Sequence, residues 1–138
     1  MPDYWEPTGP IVLSAPAPHA STFETDPVSG FRRCRRIKLT LDVTAAATLV
    51  GDTLDVIVDV DGIGAVHFDQ ILGNGGVQKR VAFLEPGLPA TADVDVTADP
   101  AAGVVRPYLW GDALKVRATI AGSGGESFTF GVTAEGQA

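Results

Sequence analysis

The chain has very few of the residues that build disulfides, metal sites and cysteine-dependent active sites. Among its 138 residues there is one cysteine, Cys34, and there are two histidines, His19 and His67. A single cysteine excludes an intrachain disulfide, so the fold has to rest on an apolar core. Two imidazoles and one thiol leave little material for a zinc site or for a cysteine–histidine nucleophile. We therefore expect no metal, no cofactor and no enzymatic activity.

Long apolar runs and a leader-like N-terminus are also missing. No stretch of the sequence approaches the roughly twenty apolar residues that a transmembrane helix needs. The first ten residues, MPDYWEPTGP, hold acids and prolines where a signal peptide has a basic segment and an apolar run. The sequence therefore predicts synthesis in a cytoplasm and no association with a membrane.

Positive charge is scarce and is concentrated in one place. Ten basic residues stand against 17 acidic ones, which gives a formal net charge of -7. This balance disfavours long-range attraction to nucleic acid or to an anionic membrane. Half of the cations nevertheless lie within residues 32–38. We expect no direct binding of nucleic acid.

Short segments with the period of a β-strand follow one another after residue 36. Apolar and polar residues alternate over residues 37–43 and 53–60, as in strands with one buried face. Glycine-rich turns lead into residues 65–72 and 77–84, where Val81 and Phe83 are expected to face the core. Lys79 interrupts that parity, which predicts an edge strand protected by a charge. Residues 93–97 form a further short strand candidate.

The C-terminal stretch predicts a hairpin. Apolar residues alternate with polar ones over residues 114–120 and again over residues 128–132, and a glycine-rich loop separates the two runs. With no helical period anywhere, the sequence predicts an all-β fold. We expect an antiparallel β-sandwich of about seven to eight strands, with the jelly roll as its most specific form.

The N-terminal residues differ from the sandwich because residues 1–30 contain six prolines. Proline removes a backbone donor and favours extended conformations, so the sequence predicts an extended arm over residues 1–35 and a sandwich domain over residues 36–138. Removing residues 1–30 is then expected to leave the sandwich folded. The arm is a candidate partner-binding segment or, alternatively, a solvated terminus. Its interface-type apolar side chains are those of Tyr4, Trp5, Ile11, Val12, Leu13 and Phe23.

Four arginines, Arg32, Arg33, Arg35 and Arg36, surround Cys34 at the end of the predicted arm. They are candidates for contact with an acidic protein surface. The alternative is a solvated entrance to the next strand, balanced by the protein's own excess of carboxylates. No interleaved aromatics or nucleic-acid motifs accompany them.

Three other candidate sites have ordinary structural alternatives. His67 and Asp69, with Asp55 or Asp59 on a neighbouring strand, are a conceivable acid–base group, although polar residues on the wet face of a sheet produce such pairs routinely. Asp59 and Asp61 could share a calcium ion, but an aspartate–glycine hairpin turn explains them as well. Tyr108 and Trp110 could stack on a sugar or pack in the core.

Several of the strand segments resemble the small β-sandwich virion proteins of tailed bacteriophages. The segments that carry the resemblance are LTLDVT at residues 39–44, TLDV at residues 53–56, VHFDQ at residues 66–70, LKVRATIAG at residues 114–122 and SFTFGV at residues 127–132. Their order along the chain is similar too. The resemblance covers residues 37–133 and leaves out the arm and the connection over residues 85–110.

This resemblance implies a non-enzymatic virion protein, with capsid decoration or cementing as its leading role. It implies that the arm docks on the major capsid protein at the capsid exterior, and that copies form a homo-oligomer such as a trimer, with Ile57 and the edge strand near Lys79 as contacts. A neck or tail adaptor with the same fold is one alternative. A glycan-binding β-sandwich module, which would use Tyr108 and Trp110, is another.

Overall fold

A computed structural model describes residues 10–49, 51–85, 95–106, 111–122 and 127–137. Within these residues the secondary structure is entirely β, and no helix is long and apolar enough to cross a membrane. The nine strands are β1 (Ile11–His19), β2 (Phe23–Glu24), β3 (Arg36–Ala45), β4 (Thr53–Val60), β5 (Ile63–His67), β6 (Ile71–Leu72), β7 (Gln78–Leu84), β8 (Leu114–Ala121) and β9 (Phe128–Gln137).

Strand pairing follows one rule, in which strands from the first part of the chain pair with later strands in reverse order. β1 pairs with β9, β2 with β8, β3 with β7 and β4 with β5, all antiparallel. Successive pairs alternate between a four-stranded sheet, β1-β9-β3-β7, and a five-stranded sheet, β2-β8-β4-β5, in which β6 also pairs with β4. This is the strand order of a jelly roll. The predicted antiparallel β-sandwich is confirmed.

The core lies between the two sheets, and the alternation seen in the sequence builds it. Every second residue of β3 and β4 is buried, while the intervening residues lie on the outer faces. The largest fully buried side chains come from both sheets and from the connection before β3. They are Phe31, Phe128, Phe130, Leu39, Leu41, Leu54, Ile71, Leu84, Leu114, Val43, Val56 and Val58.

The predicted C-terminal hairpin is wrong, because β8 and β9 lie in different sheets. β8 runs between β2 and β4, whereas β9 runs between β1 and β3. In a hairpin both apolar faces would lie on the same side of one sheet. In opposite sheets the apolar faces of the two strands enter one core cluster, where they shield each other from water.

The chain also joins the sandwich earlier than predicted. β1 pairs with β9 from Ile11 to His19, and β2 pairs with β8, so residues 11–24 contribute to both sheets. Within the described residues the sandwich thus begins at Ile11 and not at residue 36. The prolines are compatible with this position because β1 is an edge strand. On such a strand, every second backbone amide faces away from the sheet and makes no hydrogen bond to a neighbouring strand, so a proline there removes none.

β7 is an edge strand, as Lys79 predicted, but its faces are reversed. Val81 and Phe83 are 47% and 49% exposed, whereas Leu84 is buried. The register explains the reversal, because Leu84 pairs with the buried Ile37 and Phe83 pairs with Lys38 on the outer face. Two further strand predictions also need correction. Residues 65–72 are divided between β5 and β6, and residues 95–97 lie outside any strand, while residues 93–94 are outside the described part.

The β4–β5 hairpin follows the prediction made from its sequence. Asp61 and Gly62 adopt φ angles of 49° and 86°, the left-handed values that a two-residue hairpin turn of type I′ requires. The side chain of Asp61 is engaged locally, since it accepts the amide of Ala113 at 3.0 Å. The turn interpretation of this aspartate is therefore supported by its contacts.

Candidate partner-binding surface

Four strand ends meet at one end of the four-stranded sheet. β1 and β3 begin there, and β7 and β9 end there, because Ile37 pairs with both Leu84 and Gly136 while Ile11 pairs with Ala134. The N-terminal segment therefore enters the fold at the end where the arginines precede β3. Two candidate regions that are separate in the sequence are neighbours in the structure.

The loop that carries the arginines is held by its backbone and by its apolar residues. Phe31 and Cys34 are buried, and the amide of Cys34 donates to the carbonyl of Phe31 at 3.0 Å. A carboxylate oxygen of Asp112 accepts the amides of Gly30 and Arg32, both at 3.2 Å. These contacts fix the loop without using a guanidinium group.

Three of the four arginines project into solvent. Arg32, Arg33 and Arg35 are exposed, and none of them has an acidic partner within the described residues. Arg32 and Arg33 line an open depression beside Asp112. In a protein with a formal net charge of -7, these three neighbouring cations, which have no acidic partner in the described part of the chain, form a positive patch.

Arg36 differs from its neighbours because it has partners within the chain. It contacts Glu85 at 2.7 Å, and its guanidinium lies 5.6 Å from the ring centroid of Phe83. Both side chains of the ion pair are about half exposed, so the pair adds little to the free energy of unfolding. For Arg36 the structure favours the alternative of a solvated strand entrance.

The predicted apolar anchors have different positions in the structure. Leu13 is 5% exposed and belongs to the core, and Ile11 and Phe23 pack against the core. Phe23 also stacks on His19, with ring centroids 3.9 Å apart. Among the anchors that lie in the described residues, Val12 is the most exposed, at 53%. Tyr4 and Trp5 lie outside the described residues.

The outer face of the four-stranded sheet bears a stripe of uncharged side chains. The register aligns Val12 with Thr133, Thr133 with Thr40, and Thr40 with Val81 across all four strands. Phe83 adjoins this stripe at the arginine end, where Lys38 is its cross-strand neighbour. Exposed Val12, Val81 and Phe83 together supply apolar contact area on this face.

The outer face of the five-stranded sheet is different because residues 95–106, here called the covering segment, lie against it. The segment bonds to the free edge of β5, where the amides of Gly103 and Arg106 donate to the carbonyls of His67 and Ala65 at 2.7 and 2.8 Å. Pro100 in the middle of the segment is buried. The segment thus extends the sheet and folds over its face.

An ion network centred on the buried Asp59 fastens the covering segment to the sheet. Arg117 donates to both carboxylate oxygens of Asp59 at 2.7 Å and to the carboxylate of Asp99 at 2.6 and 3.1 Å. Asp59 is 2% exposed, and Lys115 approaches it to 4.0 Å. The hydrogen bond from Arg117 lowers the pKa of Asp99, and the two carboxylates raise the pKa of Arg117. Gly64 permits the close approach, since a Cβ there would lie 2.6 Å from the Asp99 carboxylate.

The side chain of His67 also connects the covering segment to the sheet. Its Nδ1 lies 2.8 Å from the carbonyl oxygen of Pro100, and its Nε2 lies 3.1 Å from the carboxylate of Asp55. Asp69, which the sequence placed beside His67, contacts Arg80 instead, at 3.6 Å. Both ring nitrogens thus face acceptors within the fold.

The acidic residues considered for calcium have protein partners as well. Asp59 is bound by Arg117, and Asp61 accepts backbone amides. Across the described residues no group of three or more histidine, cysteine, aspartate or glutamate side chains is arranged to hold a metal ion. Tyr108 and Trp110, the proposed sugar platform, lie outside the described part.

Comparisons with known proteins supply no family for the chain. No family model matches it, and neither the curated proteins nor the solved structures contain a significant match.

Proposed function

We propose that the protein is a non-enzymatic structural protein of a tailed-phage particle that decorates and cements the capsid. The observation that carries the proposal is the meeting of two regions at one end of the four-stranded sheet. There the N-terminal segment enters β1, and Arg32, Arg33 and Arg35 lie without acidic partners among the described residues. A partner that fits this end presents carboxylates.

The charges of the patch suit association with a second protein. Guanidinium groups that lack an internal partner are available for bidentate bonds to carboxylates on another chain. Their positive field would also orient an otherwise acidic protein during its approach to an acidic lattice. The proposed partner is the major capsid protein, with other virion proteins as the alternative.

The uncharged stripe would supply the apolar part of the same contact. Val12, Val81 and Phe83 are each about half exposed, and the face between them carries threonines. Aromatic residues and arginine are enriched in protein interfaces, and Phe83 with Arg36 above it combines both. Tyr4 and Trp5 would add to this contact from the preceding segment.

The fold and the strand resemblance give further support by analogy. Jelly rolls occur in viral capsid proteins and also in lectins, so the architecture alone selects neither function. The similarity of the strand segments to virion proteins of tailed phages favours the first. The protein would be made in the host cytoplasm and then act as a homo-oligomer, such as a trimer, on the capsid exterior.

Binding to capsid shells that lack the protein tests the proposal. Purified wild-type protein should bind such shells, and cryo-EM of the mixture should show it on the outer surface. Density at the neck or tail would favour the adaptor alternative. Bare shells combined with glycan binding would favour the lectin-like alternative, and either result would reject the cement role.

Two neighbouring arginines provide a matched pair of variants for this assay. Arg35→Ser removes an unpartnered cation and should weaken shell binding about tenfold, while Arg36→Ser, whose guanidinium is already paired with Glu85, should weaken it less. Equal losses would contradict the role of the patch. A deletion to test the N-terminal segment has to stop at residue 9, because removing residues 1–30 would delete β1 and β2.

A further inference from the structure

The turn between β6 and β7 carries the only asparagine of the chain, Asn74, directly before Gly75. The turn lies at the end of the four-stranded sheet opposite to the arginines, because β7 begins there. Asn74, Gly75 and Gly76 are all exposed, and the side-chain amide of Asn74 makes no hydrogen bond within the described residues. Solvent therefore reaches both the asparagine side chain and the main chain that follows it.

The backbone of the turn accounts for both residues of this pair. Asn74 has a φ angle of 67°, a left-handed value that asparagine adopts more readily than most residues do. A Cβ at Gly75 would lie 2.8 Å from the carbonyl oxygen of Leu72, so a larger residue does not fit there. The same geometry leaves a side-chain amide next to a main-chain nitrogen that no neighbouring side chain of its own residue shields. This combination is chemically reactive.

We propose that Asn74 is a site of spontaneous deamidation. The nitrogen of Gly75 loses its proton to hydroxide and attacks Cγ of Asn74, and the new C–N bond closes a succinimide ring. The Cγ–Nδ2 bond breaks, and Nδ2 takes a proton from water and leaves as ammonia. Water then opens the ring at either carbonyl, which gives aspartate or isoaspartate. The reaction consumes only water, and this site does not depend on the proposed function.

The hydrogen bonds of the turn control the rate of this reaction. The amide of Gly75 donates to the carbonyl of Leu72 at 3.1 Å, and the amide of Asn74 donates to the carbonyl of Ala47. The first of these bonds has to open before the Gly75 nitrogen can attack. A single bond in an exposed turn opens at a small cost, so we expect the fold to slow the reaction by about tenfold or less relative to an unstructured peptide.

The β4–β5 turn provides an internal control, because Asp61–Gly62 is the only other pair of aspartate or asparagine followed by glycine in the chain. The φ angle of Asp61 is also positive, at 49°. Its carboxylate, however, accepts the amides of Asp112 and Ala113 at 3.2 and 3.0 Å. An ionised carboxylate is also a poor target for a nucleophile. We therefore expect at least tenfold less isoaspartate at residue 61 than at residue 74.

Incubation of the full-length protein in mildly alkaline buffer, beside a synthetic peptide of residues 70–78, tests the site. Deamidation adds one negative charge to the formal net charge of -7, so ion exchange separates the product. Tandem mass spectrometry of proteolytic fragments then locates aspartate and isoaspartate. The protein should convert at residue 74 at a rate within about tenfold of the rate of the peptide. An unconverted protein after the peptide has reacted completely would overturn the proposal.

Two substitutions of the same residue supply the matched variants. Asn74→Gly keeps a residue suited to a positive φ angle and removes the side-chain amide, so it should form no acidic product. An acidic product that still forms in Asn74→Gly at the wild-type rate would come from another side chain and would overturn the proposal. Asn74→Asp carries the charge of the product on an unaltered main chain, so it is the reference for the aspartate product. A wild-type product that contains neither aspartate nor isoaspartate at residue 74 would also overturn the proposal.

Discussion

The two outer faces of the sandwich differ in what lies against them. On the five-stranded sheet, Arg117 joins the buried Asp59 to Asp99 of the covering segment. On the four-stranded sheet, Val81 and Phe83 are about half exposed. Polar and charged side chains occur on both faces, so composition does not separate them. The difference is that one face satisfies its charges within the chain, whereas the other leaves Val81 and Phe83 exposed to solvent.

Removing the centre of the ion network should produce the largest loss of stability. Arg117→Met leaves the Asp59 carboxylate, 2% exposed, without its bidentate partner, and we expect the free energy of unfolding to fall by about 3–5 kcal/mol. Urea denaturation measures this loss as a lower midpoint. Lys38→Met, on the uncovered face, should change the same quantity by less than about 0.5 kcal/mol. Similar losses in both variants would remove the distinction between the faces.

The matched pair Leu84→Ala and Val81→Ala tests the distinction within one strand. Leu84 is 1% exposed and should lose about 2–5 kcal/mol of stability when truncated. Val81 is 47% exposed, and we expect its truncation to cost under about 1 kcal/mol while weakening attachment to capsid shells. Urea denaturation and shell binding report the two effects. A large loss of stability in Val81→Ala would mean that other residues of the same chain already pack against the uncovered face.

Loosening one end of the network should release the covering segment without unfolding the sandwich. Asp99 is 42% exposed, so solvent screening reduces the worth of its bond to Arg117, and we expect Asp99→Asn to cost about 1 kcal/mol or less. Amide hydrogen exchange at Gly103 and Arg106, which bond to β5, should nevertheless become faster. Asp42→Asn on the other face is the control. Unchanged exchange at both amides would show that the backbone bonds hold the segment alone.

Low pH should also weaken the attachment of the covering segment to the sheet, by a smaller amount than the substitutions above. Arg117 binds the ionised form of Asp99, so the pKa of this carboxyl in the folded protein lies below its ordinary value of 3.8. The stabilisation is therefore fully present above pH 3.8 and is lost as the pH falls through the lowered pKa. Hydrogen exchange at Gly103, corrected for its intrinsic pH dependence, should show less protection in that range. Asp99→Asn should lack the change.

Local sequence patterns predicted the parts of the fold that depend on neighbouring residues. The alternation in β3 and β4, the Asp61–Gly62 turn and the edge position of β7 all follow from a few adjacent side chains. The exposure of Arg32, Arg33 and Arg35 was predicted in the same way.

Features that depend on distant pairing were not predicted. The β8 and β9 patterns fit a hairpin and a crossing between sheets equally well, and only the jelly-roll order decides between them. The alternation within each strand places Asp59 and Arg117 on outer faces. The two side chains come into contact only because β4 and β8 are adjacent strands and pair in the observed register. The sequence did not indicate that Asp99 takes part in the ion network, because the residues around it show no strand pattern. The inward position of Arg80 was missed because β7 was assigned the opposite faces.

The central position of β9 in the four-stranded sheet has a consequence for biosynthesis. β1 has β9 as its only sheet partner among the described strands, and β3 has β9 on one side. A nascent chain that has emerged only as far as residue 122 therefore carries β1 unpaired and β3 with one exposed edge. Such unpaired strands are sites of aggregation and swapping between chains. The proline-rich sequence of β1 would limit that hazard on the ribosome, since prolines withhold the amide donors that an intruding strand would need.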